Sequence, residues 1–82
     1  MSPVDPLGAD FAYMQVANSI AVRIEAGEIT HKLPAERDLA VEYGVAYQTV
    51  RRAMKVLRER GLIITRQGRG TFVARDRGPE PG

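Results

Sequence analysis

The sequence contains no cysteine, so it forms no disulfide and offers no thiolate to a metal ion. It has no run of about 18 consecutive apolar residues, the length that a membrane-spanning helix needs. The N-terminal stretch MSPVDPLGAD has neither a basic start nor an apolar segment, and therefore does not resemble a signal peptide. We expect a soluble, cytoplasmic protein with no membrane partner.

Residues suited to catalysis are also scarce. His31 is the single histidine, and no pair of carboxylates is spaced for general acid–base work. We interpret His31 as a surface or capping residue. The segment GRGT contains two glycines but lacks the following helix N-terminus that a phosphate-binding loop requires. The sequence therefore predicts no enzyme activity, no cofactor and no metal site.

Basic charge is concentrated in the second half of the chain. Residues 1–50 include three basic and seven acidic residues, a net charge of −4, whereas residues 51–77 include nine basic and two acidic residues, a net charge of +7. This asymmetry is typical of proteins with a polyanionic partner. The alternative is a solvated basic face that binds nothing.

The spacing of apolar residues predicts three helices followed by a β-hairpin in one domain over residues 11–74. The helices are expected over residues 11–26, 35–43 and 47–60, because apolar side chains recur there every three or four positions. LIITR and TFVAR are rich in β-branched residues and flank QGRG, whose glycines suit a hairpin turn. The ends of the chain, residues 1–10 and 75–82, are expected to form a flexible arm and a disordered tail. HKLP before the second helix is expected to be part of a connector.

Three residues carry the spacing of a helix-turn-helix. Ala40 is small enough for two helices to cross, Gly44 allows a tight turn, and Val50 can anchor the second of the two helices in a core. In such a motif, the first turn of the last helix faces the base edges of the DNA major groove.

The residues expected to be exposed in that first turn are Ala46, Tyr47, Gln48, Thr49 and Arg51. Gln48 is suited to adenine and Arg51 to guanine, because each can form two hydrogen bonds with that base. Arg52 and Lys55 are better placed to hold phosphate. Tyr47 is suited to a phosphate hydrogen bond, to stacking on a sugar, or to packing beside Met54.

Three longer segments make the chain resemble the DNA-binding domain of the GntR family of bacterial transcription regulators. They are LPAERDLAVEYGV (33–45), TVRRAMKVLRERGLI (49–63) and RQGRGTFV (66–73), and the resemblance extends over residues 13–74. It implies a mainly α fold, a three-helix winged helix-turn-helix in which the hairpin is the wing.

The resemblance also implies contacts with DNA and a type of binding site. It places Arg37 and Arg51 at guanines or nearby phosphates, and Gln67, Gly68 and Arg69 at the minor groove. It implies an inverted repeat as the binding site on double-stranded DNA. We expect a repressor, because repression needs only occupancy of a promoter, and a homodimer at least on DNA, because one domain of this size buries a modest interface. The apolar residues of the first helix and the N-terminal arm are the candidates for a dimer contact.

The sequence departs from the family pattern in three places. Ala35 stands where many members have a serine that caps the second helix. AYQT (46–49) replaces the more usual SRTT, so the base preference of other members does not transfer. The chain also stops shortly after the hairpin, where members normally continue into an effector-binding domain. We expect a stand-alone regulator or one descended from a truncated member, with no effector ligand within this chain.

Two other functions remain open from the sequence. A winged helix can serve as a protein–protein interaction module or as an accessory of another regulator, but it would not then need Arg37, Arg51 and a basic wing together. RNA modules favour exposed aromatic residues on a sheet, whereas Phe72 is expected to pack inward and Tyr47 alone is no stacking platform.

Overall fold

The chain folds as three helices followed by a two-stranded antiparallel hairpin. A computed structural model describes the backbone of residues 4–74 and the side chains of residues 11–74. The elements are α1 (Val4–Glu25), α2 (Glu36–Tyr43), α3 (Tyr47–Glu59), β1 (Ile63–Arg66) and β2 (Gly70–Val73). The predicted mainly α winged helix-turn-helix is confirmed. The expected tail at residues 75–82 lies outside the described residues.

The first helix begins earlier than predicted. α1 starts at Val4, so the expected flexible arm is wrong for residues 4–10, while residues 1–3 lie outside the described part. The prolines near the N-terminus favoured an irregular segment. However, Pro6 falls in the first helical turn, where backbone N–H groups have no carbonyl partner to lose. Gly27 ends the helix as expected, with a φ of 81° and its N–H donating to the Ile24 carbonyl at 3.1 Å.

One apolar core unites the helices and the hairpin, and α1 and α3 supply most of it. The buried residues of this cluster are Val16, Ala17, Ile20, Ile24, Ile29, Leu33, Leu39, Val50, Ala53, Met54, Leu57, Ile63 and Val73. Val16, Ala17 and Ile20 of α1 are buried in the chain's own core, whereas Phe11 and Val22 of the same helix are exposed, so the dimer contact suggested from the sequence stays a prediction. Among the described side chains none that is buried is polar or charged, so the charged groups lie at the surface.

The connection between α2 and α3 has the geometry of a helix-turn-helix. Gly44, predicted to allow a tight turn, takes a left-handed conformation with φ 67° and ψ 36°, and its N–H reaches the carbonyls of Ala40 and Val41. Val45 also donates to the Ala40 carbonyl, at 3.0 Å. Val50 is fully buried and anchors α3, as its place in the motif predicts. The turn therefore fixes the direction in which α3 leaves α2.

The hairpin gains a third extended segment that the sequence did not reveal. Ile63 pairs with Val73 and Arg66 with Gly70, which leaves residues 67–69 as the turn. Residues 31–33 then lie against the free edge of β2: Leu33 donates to the Thr71 carbonyl at 2.9 Å, and Val73 donates to the His31 carbonyl at 2.7 Å. The expected connector is therefore partly a strand-like edge. Pro34 follows this edge directly, and Ala35, with φ −61° and ψ 150°, leads into α2.

Side chains beyond the core hold α1 against α2. The Tyr43 hydroxyl accepts a hydrogen bond from Arg23 Nη1 at 3.0 Å and lies 2.8 Å from Ser19 Oγ. Arg23 also pairs with Glu28 and Glu42. The hydrogen bond to Tyr43 is the main cause that raises the pKa of Arg23.

No helix within the described residues is long and apolar enough to cross a bilayer. The longest, α1, includes Asp10, Arg23 and Glu25 among its 22 residues.

The start of α2 provides a test of the fold. Ala35 has the extended backbone of an N-cap residue, with φ −61° and ψ 150°, but no side-chain capping bond. Ala35→Ser should therefore stabilise the protein by about 1 kcal/mol, because a hydroxyl there can accept a hydrogen bond from a free backbone N–H of the first turn. Urea denaturation followed by circular dichroism measures the change. Ala35→Val is the control, since it supplies no acceptor, and equal stability of the two variants would contradict the assignment.

Candidate nucleic-acid interface

The first turn of α3 presents its polar residues to solvent. Val50, Ala53, Met54 and Leu57 bury one face of the helix, and most of its polar positions point outward. Of the residues predicted from the sequence, those exposed on this side of α3 are Ala46, Tyr47, Gln48, Arg51, Arg52 and Lys55. Thr49 is half-buried, and its N–H donates to the Ala46 carbonyl at 3.0 Å. The helix can therefore be approached along this whole turn.

Arg51 is held near two neighbours without being withdrawn from solvent. Its guanidinium lies 5.8 Å from the centroid of the Tyr47 ring, and its Nε lies 4.0 Å from Glu36 Oε1. The arginine side chain remains 58% exposed. Contact with an aromatic face limits the rotamers that the arginine adopts, so less entropy is lost when it binds a partner. The ring of Tyr47 is exposed and lies beside Arg51.

Arg52 and Lys55 follow on the exposed side of α3. The Arg52 guanidinium lies 4.1 Å above the ring of Tyr13, a residue of α1. Arg52 therefore sits at the α1 side of the surface, with its position set by an aromatic neighbour. Lys55 lies one turn further along the helix and is exposed.

The wing ends in an exposed turn formed by Gln67, Gly68 and Arg69. The Arg69 N–H donates to the Arg66 carbonyl at 2.9 Å and closes the turn. Gly68 has a φ of 78°, and a Cβ added there would meet nothing within 4 Å. Glycine is therefore required at position 68 by the backbone conformation rather than by crowding inside the protein. The space around it is open to a partner.

Arg37 lies in the first turn of α2 and is exposed. It lines a cleft that separates the starts of α2 and α3 from β2 of the wing, and Tyr47 and Thr71 line the same cleft. The structure thus places Arg37 between the two other groups of predicted contact residues.

Sequence reasoning missed three basic residues near this surface. Lys32 lies in the same cleft, Arg66 is exposed at the base of the wing turn, and Arg58 fastens the hairpin to α3. The bond from Arg58 Nη1 to Thr65 Oγ1 is 2.9 Å long. Lys32 was hidden within the acidic half of the chain, and the contact of Arg58 with β1 depends on a tertiary arrangement that residue spacing does not encode.

The part of the chain that the structure describes contains no group of three metal-ligating side chains, and its buried side chains are all apolar. What the surface offers is a row of cations and hydrogen-bonding groups on α3, the start of α2 and the wing. Such a surface is suited to binding a polyanion.

The core, the α2–α3 turn and the hairpin together define a winged helix-turn-helix protein with an exposed, basic recognition helix. The chain belongs to the GntR family of bacterial regulatory proteins, which it matches over residues 12–73. The resemblance noted from the sequence is therefore confirmed.

Two curated relatives illustrate the match. The HTH-type transcriptional regulator SmoD of Agrobacterium fabrum is 38% identical over 63 residues, which cover 74% of this chain and 27% of SmoD. The HTH-type transcriptional repressor NagR of Bacillus subtilis is 37% identical over 65 residues, which cover 77% of this chain and 27% of NagR. The chain thus spans about a quarter of the length of these relatives.

A solved structure of the AraR DNA-binding domain in complex with operator ORR3 has a similar fold. Its TM-score is 0.73 at 40% identity, over 77% of this chain and 78% of the AraR domain. The similarity therefore includes most of an isolated DNA-binding domain.

The bond between Arg58 and Thr65 predicts a measurable change in the wing. Arg58→Ala should accelerate amide hydrogen exchange in β1 and β2 by up to about fivefold, because an exposed hydrogen bond contributes roughly 1 kcal/mol or less. Exchange followed by NMR measures this. Arg60→Ala is the matched control, since Arg60 Nη1 bonds to Asn18 of α1 instead. Equal acceleration in both variants, or none in Arg58→Ala, would contradict a specific role in holding the wing.

Proposed function

We propose that this chain binds double-stranded DNA sequence-specifically and regulates transcription as a repressor. The observation that carries the proposal is the joint exposure of the first turn of α3 and the basic wing turn, in a fold shared with the operator-bound AraR domain. α3 enters the major groove, and the wing reaches the adjacent minor groove. Arg52 and Lys55 hold phosphates beside α3.

Direct readout falls to the first turn of α3. Gln48 pairs its side-chain amide with adenine, and Arg51 pairs its guanidinium with the O6 and N7 atoms of guanine. Ala46, Tyr47 and Thr49 complete the contact surface of this turn. Arg37 approaches the same groove from α2 and contacts guanine or a nearby phosphate. The proximity of Tyr47 to Arg51, 5.8 Å from ring centroid to guanidinium, supports a role for the tyrosine in orienting that arginine.

The wing turn contacts the minor groove through Gln67, Gly68 and Arg69. The open space around Gly68 permits close approach of its backbone to the groove floor. Arg69 suits a narrow minor groove, which has a strongly negative potential where the DNA is rich in A·T pairs.

Repression needs only occupancy of a promoter, whereas activation needs an additional surface for the polymerase. A module of this size buries roughly 600–1,000 Å² on DNA, so selective binding calls for two copies on an inverted repeat. The relative NagR is named a transcriptional repressor, which supports repression as the mode of regulation. We infer that the chain acts in the bacterial cytoplasm, as a homodimer on DNA and without enzymatic activity.

Selection from random duplex DNA, followed by titration against salt, tests the proposal. The wild-type chain should enrich a palindromic motif, and its affinity should fall steeply with salt, because bound arginines and lysines displace counterions from phosphates. In a parallel selection, Arg51→Ala should lose discrimination at one position of each half-site, equivalent to about 1–3 kcal/mol.

The outcomes separate the alternatives. A uniform loss across all sequences in Arg51→Ala would make Arg51 a phosphate contact. Enrichment of a single half-site would indicate one copy on DNA. If the wild-type chain showed neither enrichment nor salt-sensitive binding, the basic face would belong to a protein partner and the proposed function would be wrong.

A further inference from the structure

Lys32 occupies the cleft between the wing and the helix-turn-helix. The residues that line this cleft include Lys32, Pro34, Arg37, Tyr47, Gly70 and Thr71. Arg37 and Tyr47 belong to the side that we assign to the major groove, whereas Gly70 and Thr71 belong to the wing. The cleft therefore separates the two surfaces proposed to enter adjacent grooves.

The backbone of Lys32 is fixed by its pairing with the wing. Lys32 forms an antiparallel bridge with Phe72, and the neighbouring Leu33 N–H donates to the Thr71 carbonyl at 2.9 Å. The edge contact of the His31 and Phe72 rings, with centroids 5.3 Å apart, adds to this attachment. Lys32 thus moves with the wing rather than with a free loop.

Gly70 provides the space in which the Lys32 side chain lies. A Cβ at Gly70 would come within 2.8 Å of Lys32 Cε and 3.5 Å of its Nζ. The aliphatic stem of the lysine therefore packs over a position that has no side chain, and its ammonium group is carried into the cleft. Among the described side chains, no carboxylate forms an ion pair with Lys32.

The geometry of duplex DNA identifies the partner of this ammonium group. A single sugar–phosphate strand separates a major groove from the adjacent minor groove. If α3 enters one groove and the wing enters the other, that strand has to cross the cleft between them. We propose that Lys32 binds a backbone phosphate of this strand. The inference rests on the proposed function and adds to it a contact that links the two grooves.

The acidic side chains of the cleft make the charge of Lys32 important for binding the DNA strand that crosses it. Glu36 and Asp38 also line the cleft, and their carboxylates would repel a phosphate. Glu36 lies 4.0 Å from Arg51, which offsets part of its charge. Lys32 faces these acids from the wing side, while Arg37 lies beside them on α2. A compact ammonium group is suited to this position because it can meet phosphate oxygens from several directions.

The salt dependence of DNA binding, measured with the 82-residue chain and the selected operator, tests the inference. Lys32→Met keeps the stem but removes the charge, so the slope of log affinity against log salt should become shallower by about 0.9, as expected for one phosphate contact. Taken over the tenfold range from about 1 M to about 0.1 M salt, that change of slope corresponds to roughly an eightfold loss of affinity. Lys32→Arg should retain most of the slope. Arg60→Gln is the control for net charge, because Arg60 bonds to Asn18 of α1.

A second measurement locates the phosphate. Each backbone phosphate of the operator is replaced in turn by an uncharged methylphosphonate, and the wild-type chain and Lys32→Met are compared. One position on the strand between the two grooves should weaken the wild type yet add no further loss in Lys32→Met, as expected for two partners of one contact. The wild-type scan alone tests the inference even if the variant fails to fold, since no loss on that strand would overturn it.

The results distinguish the inference from the proposed function. Tight, salt-sensitive binding by the wild type with an unchanged slope in Lys32→Met would overturn the phosphate contact and leave the function standing. A change equal to that of Arg60→Gln would show an effect of net charge only and would also overturn it. Absence of salt-sensitive binding by the wild type would overturn both.

Discussion

Burial of one face of α3 between the other helices and the hairpin sets the geometry of the whole domain. Val50, Ala53, Met54 and Leu57 are each at most 1% exposed, and they fix the rotation of the helix about its axis. That rotation decides which residues of the first turn reach solvent. Because a core packed at crystal-like density does not deform continuously, the helix has one orientation rather than a range of them. The proposed recognition surface is in this sense a consequence of the core.

The neighbours of α3 then set the distance between its first turn and the wing. The left-handed Gly44 fixes the angle to α2, and Ile63 and Val73 tie the hairpin to the core. The edge formed by residues 31–33 extends the pairing of β2 beyond β1. The two proposed groove contacts are therefore parts of one body, and the duplex must meet both with little adjustment. Preorganisation of this kind lowers the entropic cost of binding.

The sequence predicted the parts of the fold that depend on local patterns. The bounds of α2 and α3 were predicted to within a residue, because apolar periodicity marks both helices and Gly44 ends α2. The exposed positions of the first turn of α3 follow from the same periodicity, except that Thr49, predicted to be exposed, is half-buried. The start of α1 was missed because proline was taken as a sign of irregular backbone, although the first turn of a helix tolerates it.

Contacts between distant segments could not be predicted in the same way. The pairing of residues 31–33 with β2 involves too few residues to show an alternating pattern, and it depends on where the hairpin folds back. The seating of Lys32 over Gly70 and the bond from Arg58 to Thr65 also require the tertiary structure. These features determine how the wing is held, which residue types and spacing do not specify.

If α3 and the wing engage one DNA duplex together, an NMR titration of the isotopically labelled chain with operator DNA should show both responding at once. The backbone amides of residues 46–52 and 67–69 are expected to shift at the same ratio of DNA to protein. Amides near Val22 and Arg60, away from the proposed surface, should stay close to their original positions. Shifts confined to α1 and the end of α2, or a wing that responds at a different ratio from α3, would contradict this joint engagement.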